Sequence, residues 1–230
     1  MEKIFKKHET FITIALIVIY VVVNSYLMQN FGYTSYQSVI VNTIMSALII
    51  ALIIRIKRVE YYGLTKAKNP KKFLCFIPLI IISLFNLRNG ININNSFREI
   101  AFHILTMLNI GFLEEIIFRG FLFKMMEKNN VKTAIIVSSI TFGIGHIVNL
   151  LNGAELIPTL LQVCYAIAIG YMLVMVFYKS KSIIPCIIFH MVFNSLSIFS
   201  AGYSQIWTTL LLTALCLGYA IYINKSVKNN

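Results

Sequence analysis

Two adjacent glutamates interrupt an apolar run at Gly111-Phe112-Leu113-Glu114-Glu115-Ile116-Ile117-Phe118-Arg119-Gly120. On a helix, Glu115 and Arg119 stand four residues apart with the acid N-terminal, the favourable orientation for pairing. Glu114 points ~100° away and lacks that partner. The spacing therefore makes Glu115 and Arg119 a structural pair and leaves Glu114 a free carboxylate, a candidate general base. A charged network that only locks helices together is the plain alternative. Two more polar sets stand in apolar sequence. His146 closes Phe142-Gly143-Ile144-Gly145-His146, and His190 shares a helix face with Asn194 in His190-Met191-Val192-Phe193-Asn194. Taken singly, such groups are usually interhelical hydrogen-bonders. Taken with the carboxylates, they make a set able to activate water and attack an amide. Glu114 with His146 would hold and deprotonate the water, and His190 with Asn194 would donate to the developing oxyanion. Two histidines and a glutamate also suit a divalent metal such as zinc with an open position. Residue types alone do not separate the two schemes. Glu99 and His103, again at spacing four, read as an interfacial pair without chemistry.

Absences narrow the field. The chain has no aspartate, and all eight acids are glutamates, which excludes an aspartyl dyad and any Ser-His-Asp triad. It has no His-Glu-x-x-His and no Gly-x-Ser-Gly sequence. The four cysteines, Cys75, Cys164, Cys186 and Cys216, fall in apolar blocks without metal-ligand or redox spacing and read as small buried hydrophobes.

The elements that must position these groups are membrane helices. The chain is 230 residues long, 58% hydrophobic and only 12% charged, where a soluble domain would be about a quarter charged. The apolar residues fall in blocks of roughly 15–24, the length a helix needs to cross ~30 Å of hydrocarbon. The ~10-residue alternating segments of a β-barrel are missing. The blocks lie near 11–28, 37–54, 73–87, 100–123, 133–151, 157–177, 183–199 and 206–223. The first follows Lys3, Lys6 and Lys7 and lacks a small-x-small cleavage site, so a retained helix is expected rather than a signal peptide. The 73–87 block is short, contains Pro78 and is the weakest span.

Eight spans divide the charge sharply. The segments 1–10, 55–72, 124–132, 179–182 and 224–230 carry 17 of the 20 Lys and Arg. Cytoplasmic loops collect these residues, so both termini are expected in the cytoplasm. The net charge of +12 is then a topology signal with affinity for anionic lipid, and nucleic acid is not an expected partner. The expected class is an all-α membrane protein of about eight transmembrane helices, one domain over residues 1–230. At ~1.5 Å per residue, Glu114, His146, His190 and Asn194 lie roughly 10–20 Å from the cytoplasmic ends of their helices, compatible with one layer.

At these residues the chain resembles the CPBP intramembrane proteases. That family includes the type II CAAX prenyl endopeptidases and the bacterial bacteriocin-processing or immunity (Abi) proteins. The resemblance rests on Glu-Glu-x-x-x-Arg, Phe-x-x-x-His and His-x-x-x-Asn, each on its own helix and in this order, with Phe118 and Gly120 flanking Arg119. It covers about residues 97–200. It implies an eight-helix fold and hydrolysis of a peptide bond in a membrane-associated peptide or protein. It further implies Glu114 and His146 activating water, His190 and Asn194 at the oxyanion, and Glu115 with Arg119 in support. The family is often described as metalloprotease; a metal-free glutamate mechanism is the form favoured here, with zinc as the alternative. Lys-, Ile- and Asn-rich composition points to an AT-rich bacterial genome and a multi-pass protein of the plasma membrane. Bacteria generally lack prenylated CAAX proteins, so a bacterial membrane-associated peptide is the expected substrate. A non-enzymatic immunity or regulatory protein that binds a bacteriocin or partner helix is the alternative from another class. The sequence sets no oligomeric state.

Overall fold

Each apolar block becomes a helix. A computed structural model describes residues 2–65, 76–202 and 206–226. Within them a short helix α1 (Glu2–Lys7) precedes α2 (Glu9–Asn30) and α3 (Tyr36–Arg55). Then follow α4 (Ile77–Leu87), α5 (Phe97–Glu127), α6 (Val131–Leu150), α7 (Leu156–Ser180), α8 (Ile184–Phe199) and α9 (Ile206–Ser226). The Ile91–Ser200 bridge is the only β pairing among the described residues. The segment 66–72, the first residues of the 73–87 block, Cys75 and the residues after Ser226 lie outside the described residues.

Six of the eight apolar helices, α2, α3, α5, α6, α7 and α9, have the length and composition to cross a membrane. The other two, α4 and α8, are shorter. At ~1.5 Å per residue they reach roughly 17 and 24 Å, short of a ~30 Å core. The expectation of eight full spans is thus met by length in six. The outer surfaces of α2 and α3 expose Phe11, Ile14, Val18, Val22, Leu48 and Ile54. Such a continuous apolar exterior suits hydrocarbon, where the helices satisfy their own backbone groups. The chain is a multi-pass membrane protein.

Local signals set the helix ends. Ser96 and Glu99 form a reciprocal capping box at the start of α5, satisfying two of the backbone donors a helix leaves open there. Asn130 caps α6 through the Thr133 amide, and Ser35 caps α3 through the Ser38 amide. Lys181, in a left-handed conformation at φ 58°, ends α7.

The interior is built on α5 and α7. From Ile116 to Phe123 the α5 backbone winds as a π-helix, and every residue of that stretch is buried. Ser138 of α6 donates to the Phe118 carbonyl within it, at 2.9 Å. Such insertions concentrate at functional sites, and this one begins directly after Glu115. The continuous α-helix implied by the 100–123 block is therefore corrected over these residues. Helices α5 and α8 pack closely because Gly111 lacks a side chain: a Cβ there would lie 2.8 Å from the Met191 backbone nitrogen. Gly143 does the same for α6 against α7, where a Cβ would lie 2.8 Å from the Ile167 nitrogen. Small residues at such crossings let membrane helices approach backbone to backbone.

The bundle has two chemically distinct ends. At one, Glu9 pairs with Arg58 at 2.8 Å and with Lys128. Tyr61 donates to the Lys124 carbonyl at 3.0 Å, and Ser182 donates to the Thr65 carbonyl at 2.9 Å. These bonds gather the segments that carry most of the Lys and Arg. At the other end, Ser25 donates to Asn152 at 2.8 Å, and Gln29 donates to the Leu151 carbonyl at 2.8 Å. There the Asn92 amide also reaches the Phe199 carbonyl at 2.8 Å. Its only nearby cations among the described residues are Arg88 and Arg98.

Candidate active site

Three helices converge on the paired glutamates. His190 of α8 is buried with its ring between them: Nδ1 lies 2.8 Å from Glu115 Oε1, and Nε2 lies 3.1 Å from Glu114 Oε2. Carboxylates only accept hydrogen bonds, so satisfying both contacts takes two protons among the three groups. Either both sit on the ring, or one sits on a carboxyl. Arg119 Nη1 stands 3.1 Å from Glu115 Oε1, with both side chains fully buried. No N–H of Arg119 is aligned for a hydrogen bond, so the pair is held by charge rather than by directed bonding. The guanidinium instead lies over the Phe142 ring at 4.2 Å, a cation–π contact in a dry setting. With His190 as imidazolium, two negative and two positive charges cancel, which lowers the cost of burying them.

Glu114 is not the free carboxylate that its helical position implies. Besides His190, it accepts a hydrogen bond from the Tyr20 hydroxyl of α2 at 2.6 Å. Tyr20 is 94 residues away in sequence, and only the tertiary fold reveals the contact. His146 sits in the tighter winding that closes α6, where Nδ1 is 3.2 Å from the Phe142 carbonyl. A carbonyl cannot donate, so Nδ1 carries a proton, and His146 when neutral keeps an acceptor lone pair on Nε2. Phe142 links the set, edge-on to both imidazoles at 5.4 and 5.6 Å. The Glu99–His103 pair does not form. Glu99 is committed to the Ser96 cap, while His103 Nε2 sits 3.3 Å from the Asn194 carbonyl and 3.2 Å from Ser197 Oγ. His103 thereby ties α5 to the turn of α8 that carries Asn194.

A cavity of about 250 Å³ adjoins this cluster. Of the six residues singled out by sequence, Glu114, His146 and Asn194 line it, whereas Glu115, Arg119 and His190 lie behind its wall. Tyr20 and Tyr33 also line it and were not singled out by sequence. A tyrosine in mid-span of the first apolar block was the available signal, since a buried hydroxyl needs a partner.

Among the described residues no three His, Cys, Asp or Glu side chains are arranged to hold a metal ion. Both nitrogens of His190 face carboxylates, and His146 Nδ1 faces a carbonyl, so few lone pairs are free to converge on an ion.

Residues 96–196, a little under half of the chain, match the family model described as type II CAAX prenyl endopeptidase Rce1-like. This segment belongs to the CPBP/CAAX protease family. No curated protein and no solved structure gives a significant match to the chain. The family segment opens at the Ser96 cap of α5 and closes just past Asn194, so it takes in all six polar residues of the cluster. It also takes in the π-wound stretch of α5 and the Gly111 and Gly143 crossings. It leaves out Tyr20, which this chain brings to Glu114 from a helix the CAAX-protease match does not reach. The family that this segment matches is one of peptidases.

Proposed function

We propose that the protein is an intramembrane endopeptidase that hydrolyses a peptide bond of a membrane-associated peptide by water activated at Glu114 and His146, without a metal. The observation that carries this reading is the placing of two acceptors, the Glu114 carboxylate and His146 Nε2, on one cavity wall in a family of peptidases. A water between them would donate one hydrogen to each and keep an oxygen lone pair for attack. That oxygen adds to the amide carbonyl carbon as the water proton passes to Glu114. The Asn194 side-chain amide, on the same cavity, supplies a donor to the oxyanion. When the C–N bond breaks, protonated Glu114 returns its proton to the leaving nitrogen. The products are a carboxylic acid and an amine, which leave as carboxylate and ammonium, and Glu114 is restored as a carboxylate.

His190, Glu115, Arg119 and Tyr20 are positioning residues in this scheme. Tyr20 and His190 each bind one oxygen of Glu114, which fixes the carboxyl plane, and each oxygen keeps a second lone pair for the water. Placing His190 here leaves the oxyanion to Asn194 rather than to both residues. Termini in the cytoplasm and a bacterial plasma membrane complete the proposal, supported by the charge asymmetry of the two ends.

The test is to express wild type, Glu114→Gln, His146→Ala and Asn194→Ala at matched membrane levels and score both peptide cleavage and the cellular phenotype. The reading expects all three variants to lose both. A Glu114→Gln protein that cannot cleave yet keeps its full phenotype would replace the enzyme with a binding or immunity protein.

A further inference from the structure

We infer that the active-site cavity is entered from the end of the bundle opposite the basic one, which in the cell is the outer face of the membrane. Its substrate is then an uncharged, internal stretch of an extracytoplasmic polypeptide. The direction follows from where the cavity wall comes from. Beyond Glu114, its polar lining includes Asn24 and Ser25 late in α2, Asn86 at the end of α4, Asn149 at the end of α6, Gln162 early in α7 and Ser197 in the last turn of α8, with Asn152 just past α6. All these helix ends meet at the weakly charged end of the bundle, where Ser25 bonds Asn152 and Asn149 bonds Gln162 at 2.8 Å. Ser197 is exposed, Asn24, Asn149 and Asn152 are half-buried, and Tyr20 at the floor is buried. The exposed lining residue Ser197 thus stands at this end, and the buried Tyr20 stands beside Glu114.

Among the described residues, no segment of the basic end contributes a lining residue. Between Glu114 and that end the bundle is filled by the buried π stretch of α5, with Phe121 and Phe123, and by Met172–Phe177 of α7. The basic segments carry 17 of the 20 Lys and Arg, the bias of cytoplasmic loops. The mouth therefore faces away from the cytoplasm.

The lining also states what fits. Beyond the catalytic layer its polar side chains include the neutral amides Asn24, Asn86, Asn149, Asn152 and Gln162, each with donors and an acceptor that match a peptide backbone. Among the described lining residues Glu114 is the sole Asp, Glu, Lys or Arg, so none of them offers a Lys or Arg to hold a terminal carboxylate. An internal segment brings no charge to this lining, whereas a free C-terminus would bring a second carboxylate beside Glu114.

The substrate class rests on the peptidase reading, but the direction of access does not, and a labelling experiment separates the two. In a Cys75→Ala, Cys164→Ala background, single cysteines are placed at Ala154 beside the mouth, at Asn149 in the cavity and at Asn129 on the basic end. Asn24→Cys serves as a second cavity reporter from another helix. The probe is a membrane-impermeant charged maleimide applied to intact cells and, separately, to permeabilised ones. Expected is labelling of Ala154→Cys and of a cavity cysteine in intact cells, with Asn129→Cys labelled only after permeabilisation. The reverse pattern overturns the orientation. Labelling at Ala154→Cys with both cavity cysteines silent overturns the open mouth. Labelling as expected in a protein that cleaves nothing would remove the peptidase reading and leave the access route standing.

Discussion

Replacing each glutamate by glutamine separates the two roles assigned to them. Glu115→Gln deletes the charge that faces both Arg119, at 3.1 Å, and His190, at 2.8 Å, in a site where Glu115 and Arg119 have no exposure at all. Breaking a buried pair by removing one partner costs about 3–5 kcal/mol, because the other charge stays buried. Phe142 under the guanidinium recovers part of that and not the whole, since a desolvated cation–π contact is worth ~2 kcal/mol. For a chain of this size, 1 kcal/mol shifts a melting temperature by roughly 2–4 °C, so the remaining ~1–3 kcal/mol gives an expected loss of roughly 2–12 °C. Glu114→Gln behaves differently. Its remaining carbonyl still accepts from Tyr20, and its new NH2 group can donate to Nε2 of a neutral His190 whose Nδ1 proton still serves Glu115. One negative and one positive charge vanish together, every hydrogen bond is kept, and the cost is at most the ~1 kcal/mol of an average hydrogen bond. In the Cys75→Ala, Cys164→Ala background a fluorogenic thiol dye measures this directly, because Cys186 and Cys216 are fully buried and react only on unfolding. The reasoning predicts a lower melting temperature for Glu115→Gln and a near wild-type one for an inactive Glu114→Gln. Equal melting temperatures for the two variants would refute it.

Four further outcomes follow from the same geometry. Tyr20→Phe removes one hydrogen bond to a charged group, worth ~1.5–3 kcal/mol, and should lower kcat by about 10–150-fold with the fold intact; an unchanged kcat would deny Tyr20 a positioning role. Asn194→Ala should reduce kcat by ~10²–10³ with little change in KM, the scale of one lost oxyanion donor, and a pure KM effect would place Asn194 in binding instead. Gly111→Ala sets a Cβ 2.8 Å from the Met191 nitrogen, so α5 and α8 must separate and both stability and cleavage should fall. A fully active, stable variant would show that this crossing does not set the Glu114–His190 distance. Elemental analysis of active purified protein should find no stoichiometric zinc; zinc lost with activity and restored with it would reverse the mechanism.

Much of this arrangement is legible in sequence, and the parts that are not share a cause. The apolar blocks locate all eight helices because hydrocarbon demands long uninterrupted apolar runs. The Glu115–Arg119 contact is legible because spacing four is a local property of one helix. Glu114 was misread as free because its partners, Tyr20 and His190, come from other helices. Glu99 and His103 show the opposite error: spacing four allowed a pair, yet each side chain found a better partner in a cap and in α8. The π winding after Glu115 and the short reach of α4 and α8 are set by packing, which periodicity does not record.

The central claim, that Glu114 drives water into a peptide bond, has a direct isotopic test. Purified protein in liposomes is incubated in H2(18)O with membrane-associated peptides from the cells that express it, and new C-termini are read by mass spectrometry. The account predicts new termini carrying (18)O with the wild-type protein and none with Glu114→Gln. New (18)O-labelled termini at equal rates from both proteins would contradict it.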